Sequence, residues 1–123
     1  MIKFTKEHEW ILVDGQQGKV GITEYAQQQL GDVVFVDLPA VGKNLVAGKE
    51  AAVVESVKAA SEVYAPVDGV VLTVNSELGN QPAFINEDAR GKGWFFTMNI
   101  SNLSQLDGLL DEAAYDNYLK GLA

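Results

Sequence analysis

The sequence predicts a mainly β protein with short helices, on the basis of its apolar pattern and its length. The apolar stretches are short, rich in valine and interrupted by glycine and proline, which is typical of strands rather than of long helices. The chain has 123 residues, of which 47% are apolar, whereas a domain commonly takes about 150 residues. We therefore expect a single domain over residues 1–123, with enough apolar side chains to fill one core.

A hairpin is predicted near the start of the chain. Residues 9–13 and 19–22 are strand-like, and the segment between them begins with Asp14-Gly15, a dipeptide that favours tight turns. We expect these two strands to pair with each other.

A short capped helix and a buried strand are predicted next. Thr23 is suited to cap a helix over residues 24–30, and Gly31 is suited to end it with a positive φ. Residues 32–38 are apolar on both faces apart from their acids, which predicts a strand buried on both sides.

The middle of the chain predicts two strands around a very short junction. Residues 50–56 and 59–65 are rich in Val and Ala, and only Val57-Lys58 separates them. A turn over residues 66–69 and a strand over 70–75 follow.

The last third predicts an ordered loop, one strand and a helical end. The loop covers residues 76–93 and contains one helical turn, and the strand covers 94–100. From residue 103 onwards, leucines recur at spacings of three and four, which is typical of a helix, and Asp111 is a suitable cap.

Charge excludes two classes of partner. Nine Lys and Arg against 17 Asp and Glu give a net charge of −8 at pH 7. Nucleic acids and anionic membranes both attract proteins with an excess of basic residues. We expect neither as a partner.

The chain has no Cys and only one His, His8. Disulfides, thiol nucleophiles, cysteine zinc sites and histidine-rich metal sites are excluded, and we expect no metal. The charged N-terminal segment lacks a signal-like apolar run, and no run approaches the roughly 20 residues of a membrane span. We expect a cytoplasmic protein, or a mature one whose targeting segment is absent from this chain.

Most enzymatic motifs are incomplete. Glycines beside Lys43 and Lys92 lack the spacing and the Ser or Thr of a phosphate-binding loop, and His8-Glu9 lacks the second His of a zinc protease. No nucleophile elbow is present. A small carboxylate-dependent hydrolase stays open, because two acids at a suitable separation suffice for that chemistry.

The most specific feature is Lys58, at the centre of the segment ESVKAASE over residues 55–62. A short turn between two strands presents its side chains outward, where a modifying enzyme can reach a lysine amine. Spacing alone favours an ordinary exposed lysine, like the other lysines of the chain, over an attachment point.

Three segments closely resemble the H protein family of the glycine cleavage system: GITEYAQQQLGDVVFVDLPAVG, AVVESVKAASEVYAPVDGVV and INEDARGKGWFF. The resemblance implies a lipoyl-domain-like (biotinyl/lipoyl) fold, a flattened β-barrel or sandwich of two antiparallel sheets with a C-terminal helical extension. It divides the domain into an N-terminal hairpin at about 4–23, a lipoyl-like core at about 24–100 and C-terminal helices at about 102–121.

The resemblance also implies that Lys58 carries lipoate in amide linkage, and that the protein is a monomeric, non-catalytic carrier. The lipoyl arm of that family collects an aminomethyl group from a pyridoxal-phosphate glycine decarboxylase and presents it to a tetrahydrofolate-dependent aminomethyltransferase. Dihydrolipoyl dehydrogenase then reoxidises the arm. A lipoate ligase, or a lipoyl or octanoyl transferase, attaches it.

Further site residues follow from the same resemblance. Glu9, Glu62 and Gln29 match positions near which the loaded arm of the family folds back. Glu62 replaces the usual Asp, and Gln29 replaces a His that some members carry. Glu55 matches the acid through which lipoylating enzymes recognise the hairpin. The segment 87–91 departs from the family, and we expect it at a surface that touches partners.

Two rival functions stay open beside the shuttle. An H-like protein that mainly donates octanoyl or lipoyl groups in lipoate relay needs the same lysine hairpin. The carboxylate-dependent hydrolase belongs to a different class, and would not need Lys58. A biotin carrier is disfavoured, because that related fold flanks its lysine with Met whereas this chain has Val57 and Ala59.

Overall fold

The computed structural model describes residues 1–122 and contains two antiparallel sheets. The larger sheet has six strands, in the spatial order β1 (Ile2–Phe4), β2 (Glu9–Asp14), β3 (Gln17–Ile22), β9 (Phe96–Ile100), β8 (Gly69–Val74) and β5 (Asn44–Leu45). The smaller sheet has three, in the order β4 (Val33–Asp37), β6 (Glu50–Ser56) and β7 (Ala60–Tyr64). The two sheets form a flattened sandwich and not a closed barrel. Of the two forms predicted, barrel or sandwich, the structure has the sandwich.

The helices are short, and they lie at connections between strands or after the last strand. They are α1 (Glu24–Leu30), α2 (Phe84–Glu87) and α3 (Glu112–Leu122), with 3-10 segments at Ser76–Gly79 and Leu103–Gly108. The predicted helical end is therefore interrupted at residues 109–111. Leu110 exchanges two backbone hydrogen bonds with Phe4 there, at 2.7 and 2.9 Å, which attaches the C-terminal segment to the edge strand β1.

The main core fills the space between the sheets. Val20 and Phe96 from the larger sheet and Val54 and Val63 from the smaller one are all buried in it. A second cluster, made of Phe4, Trp10 and Tyr115, lies under α3. The C-terminal helix is thus packed on the body of the protein by aromatic contacts.

Local signals in the sequence predicted most elements correctly. The β2–β3 hairpin turns at Gly15, whose φ is +62°. The Thr23 side chain accepts a hydrogen bond from the Ala26 amide at the start of α1. The predicted strands around Val57-Lys58, the strand after the 66–69 turn and the last strand are also present, with bounds that differ by one or two residues.

Other expectations were wrong or incomplete. Strand β4 is not buried on both sides, because Val34 is 54% exposed and Phe35 is 53% exposed. Strands β1 and β5, of three and two residues, were not predicted. The predicted domain boundary at residue 123 lies outside the described residues. Within residues 1–122, no helix has the length and apolarity needed to cross a membrane.

Candidate functional site

A cleft of about 520 Å³ opens between helix α1 and strand β7. This volume lies within the range of small-molecule sites, about 300–1,000 Å³. Strand β2 contributes the residue at its base, Glu9. The walls consist chiefly of Tyr25, Ala26 and Gln29 from α1 and of Ala60, Glu62 and Tyr64 from β7.

Glu9 is the buried acid of this cleft, with 2% of its surface exposed. The Thr5 hydroxyl donates to one of its carboxylate oxygens at 2.6 Å, and the Tyr64 amide donates to the other at 3.1 Å. Burial raises the pKa of Glu9 from 4.5 to about 7, aided by the neighbouring Glu7 and opposed by the two hydrogen bonds. Close to neutral pH, Glu9 therefore occurs in both its protonated and its charged form.

Glu62 and Gln29 lie in the same cleft as Glu9. Glu62 is exposed, and it accepts a hydrogen bond from the Tyr64 hydroxyl at 3.0 Å. Gln29 is an exposed residue of α1 on the opposite wall. The structure thus brings together the three residues that the sequence interpretation grouped.

Lys58 is exposed at the tip of the β6–β7 hairpin. The Ser56 hydroxyl oxygen accepts hydrogen bonds from the amides of Lys58 and Ala59, both at 3.2 Å. The Val57 amide donates to the Asp32 carbonyl at 3.0 Å. These contacts fix the backbone of the tip, while Lys58 itself stays exposed.

Gly31 places the lysine stem beside the end of α1. Its φ of +77° fits the predicted helix end, but its ψ of −159° is extended, a combination that is essentially restricted to glycine. A Cβ at this position would lie 3.4 Å from the Cε of Lys58. Because Leu30, the preceding residue, lines the cleft, the lysine stem leaves the hairpin at the cleft's α1 end.

Glu55 lies outside the cleft. It is exposed on β6, paired with Phe35 on one side and with Ala60 on the other. It lies on the surface of the smaller sheet, three residues before Lys58 and next to the hairpin tip. It is therefore accessible from outside the protein and does not line the cleft.

His8 is a cleft residue that the sequence interpretation did not assign. Its φ is +70°, unusual for a residue with a side chain, and its ring packs on Tyr25 with centroids 4.5 Å apart. The Nδ1 atom lies 2.8 Å from the Tyr115 hydroxyl, which lies 2.8 Å from the Thr23 hydroxyl. Burial lowers the pKa of His8, against a smaller opposite effect of Glu7. The only sequence signal for it is its place beside Glu9.

Arg90 connects α1 with α3. Its guanidinium forms ion pairs with Glu24 at 3.0 Å and with Glu112 at 2.7 Å, and it lies 4.9 Å from the centre of the Phe4 ring. Phe4 stacks on Tyr115, with centroids 4.6 Å apart. The segment expected to touch partners therefore also makes contacts within the chain, and these hold the helix that lines the cleft.

The antiparallel sandwich, with an exposed lysine at the tip of a hairpin, defines a lipoyl-domain-like protein. Residues 2–122 match the family described as Glycine cleavage H-protein. The chain is 61% identical over 120 residues to the glycine cleavage system H protein of Beijerinckia indica, covering 98% of this chain and 97% of that relative. It is 59% identical over 121 residues to that of Parvibaculum lavamentivorans, covering 98% and 97%.

A solved structure gives the same result. The crystal structure of a glycine cleavage system H protein from Mycobacterium marinum superposes with a TM-score of 0.88 at 34% identity, covering 97% of this chain and 96% of that one. This chain belongs to the glycine cleavage system H protein family.

Proposed function

We propose that this protein is a lipoylated, non-catalytic shuttle of the glycine cleavage system, with lipoate in amide linkage on Lys58. It carries the aminomethyl group from glycine decarboxylase to the aminomethyltransferase and is then reoxidised by dihydrolipoyl dehydrogenase. A lipoate ligase, or a lipoyl or octanoyl transferase, attaches the cofactor. We propose that it acts as a cytoplasmic monomer, folded as one domain.

The observation that carries the proposal is the position of Lys58. The Ser56 hydroxyl accepts from the Lys58 amide, and the Asp32 carbonyl accepts from the amide of the neighbouring Val57. Lys58 is exposed, and its stem passes Gly31 at the end of the cleft. A tether rooted there can reach the cleft and, equally, the site of a partner enzyme. A long mobile tether raises the local concentration of the group that it carries.

The residues of the cleft fit a bound arm with an amine end. When attached, lipoate supplies the disulfide that accepts and carries the group. The cleft offers apolar contacts from Ala26 and Leu30 and one buried carboxylate, Glu9. A carboxylate has about four lone-pair sites, so Glu9 can accept a bond from an ammonium group in addition to those from Thr5 and Tyr64.

Glu9 would thus act as the buried counter-charge for the amine. An ammonium group in the cleft favours the charged form of Glu9, because an opposite charge at short distance lowers the pKa of a carboxyl. Glu62 adds a second negative charge at the exposed wall, and Gln29 adds a neutral hydrogen-bonding group. Sequestration of the amine from water slows its hydrolytic loss.

A reconstituted assay tests this function. The lipoylated protein is added to glycine decarboxylase, and the exchange of labelled bicarbonate into glycine is measured. We expect stimulation by the wild type and by Lys43→Arg, which changes another exposed lysine, and none by Lys58→Arg. Equal stimulation by Lys58→Arg would contradict the proposal. Lipoylated wild-type protein that gives no stimulation would favour the relay role.

A further inference from the structure

Three large apolar side chains are exposed beside Lys58, on the smaller sheet and at its hairpin tip. Val34 is 54% exposed, Phe35 is 53% exposed, and Val57 is 67% exposed. They lie close together because Val57 bonds to the backbone of Asp32 and Phe35 pairs with Glu55. Single exposed apolar residues are ordinary, whereas a contiguous group of them marks an interaction surface.

A β-bulge produces this surface. On β4 the register steps two residues, from Val33 to Phe35, while on β6 it steps only one, from Ser56 to Glu55. The extra residue, Val34, turns outward, so that two consecutive apolar side chains face solvent. Bulges on edge strands commonly redirect side chains in this way, and β4 is an edge strand of its sheet.

The apolar group has an acidic border. Asp32 and Asp37 are exposed at the two ends of β4, and Glu55 is exposed directly opposite Phe35. Charge complementarity therefore selects a partner with an apolar pocket surrounded by basic groups. A second copy of this chain would bring the same acids into contact, and an anionic membrane would be repelled.

We propose that Val34, Phe35 and Val57, the hairpin face, are the docking surface for the enzyme that attaches the cofactor to Lys58. This inference rests on the proposed function. Before modification the lysine carries no cofactor for a partner to recognise, so an attaching enzyme has to select it by the protein surface around it. Ala59 and Ala60 are also exposed next to that lysine, but the hairpin face supplies the large apolar side chains there.

Kinetics of attachment test the proposal. The unmodified protein is varied as substrate of a lipoate ligase supplied with ATP and lipoate, and modification is followed by intact mass. The test variant is Val34→Thr/Phe35→Ser. The matched control is Val46→Thr, which changes a valine that is 53% exposed next to β5 of the other sheet. Urea unfolding confirms that both variants are folded.

We expect kcat/KM for attachment to fall about tenfold in the test variant, which is the typical cost of losing a central apolar anchor. The loss should appear in KM, because the surface binds the enzyme and takes no part in the chemistry. The control should match the wild type.

Attachment to the test variant at the wild-type rate would overturn the proposal. If the lipoylated test variant then stimulated glycine decarboxylase less than the wild type does, the face would be assigned to that enzyme instead. Failure of both a lipoate ligase and a lipoyl or octanoyl transferase to modify Lys58 of the wild type would refute the proposed function together with this inference.

Discussion

The buried carboxylate of Glu9 makes the stability of the protein depend on pH in a predictable direction. Its pKa is about 7 in the folded protein and 4.5 in an unperturbed chain. Because the folded value is the higher one, the folded state binds the proton more tightly, and this contribution to stability is complete below pH 4.5. It is lost as the pH rises through about 7.

The pKa difference sets the magnitude. Each pH unit between the two values corresponds to about 1.4 kcal/mol, so that ionisation of Glu9 lowers the free energy of unfolding by about 3 kcal/mol between pH 4.5 and pH 8. The side chain is 2% exposed, so solvent screens the effect little.

Glu9→Gln isolates this contribution, because Gln stays neutral. It has nearly the same shape, and it can accept from the Tyr64 amide and donate to the Thr5 hydroxyl. In urea unfolding, the free energy of unfolding of the variant minus that of the wild type should rise by about 3 kcal/mol between pH 4.5 and pH 8. Comparison of the two proteins cancels the titration of other groups, including His8.

Glu62→Gln is the matched control, because it removes an exposed carboxylate from the same cleft. Its stability relative to the wild type should change far less over this pH range. If the difference between Glu9→Gln and the wild type is the same at every pH, burial does not raise the pKa of Glu9 and the reasoning fails.

Three further substitutions test the contacts that shape the cleft. Tyr115→Phe removes the hydroxyl bound to His8 and should lower the free energy of unfolding, measured in urea, by about 1–2 kcal/mol. If the NMR signals of the His8 ring did not change, the contact would be contradicted. Arg90→Ala should lower the free energy of unfolding by about 1 kcal/mol, since its ion pairs are partly exposed. This loss should become smaller with added salt. A loss that salt does not change would assign the role of Arg90 to packing. Gly31→Ala should lower the free energy of unfolding by at least about 1 kcal/mol, because alanine is strained at a φ of +77°. An unchanged urea midpoint would contradict this. Gln28→Ala, elsewhere on α1, is the control.

Elements with local signals could be predicted from the sequence. Asp14-Gly15 defines a tight turn, and Thr23 and Gly31 define the ends of α1, because each signal acts within a few residues. Strands β1 and β5 could not be found in this way, since segments of three and two residues are too short to show a period.

Features that depend on distant partners were predicted poorly. The exposure of Val34 and Phe35 follows from a bulge that exists only against β6. The burial of Glu9 depends on Tyr64, which is 55 residues away, and the position of His8 depends on Tyr115, which is 107 residues away. The grouping of Glu9, Glu62 and Gln29 was available before the structure only because the sequence resembles a known family.

The most direct test of the account is the mass of the protein from cells that make lipoate, combined with peptide mapping. We predict a lipoyl-sized increment on the peptide that contains Lys58, and its absence from the Lys58→Arg variant produced in the same cells. A lipoyl increment that persists in Lys58→Arg would contradict the central claim, because the attachment site would then be another residue.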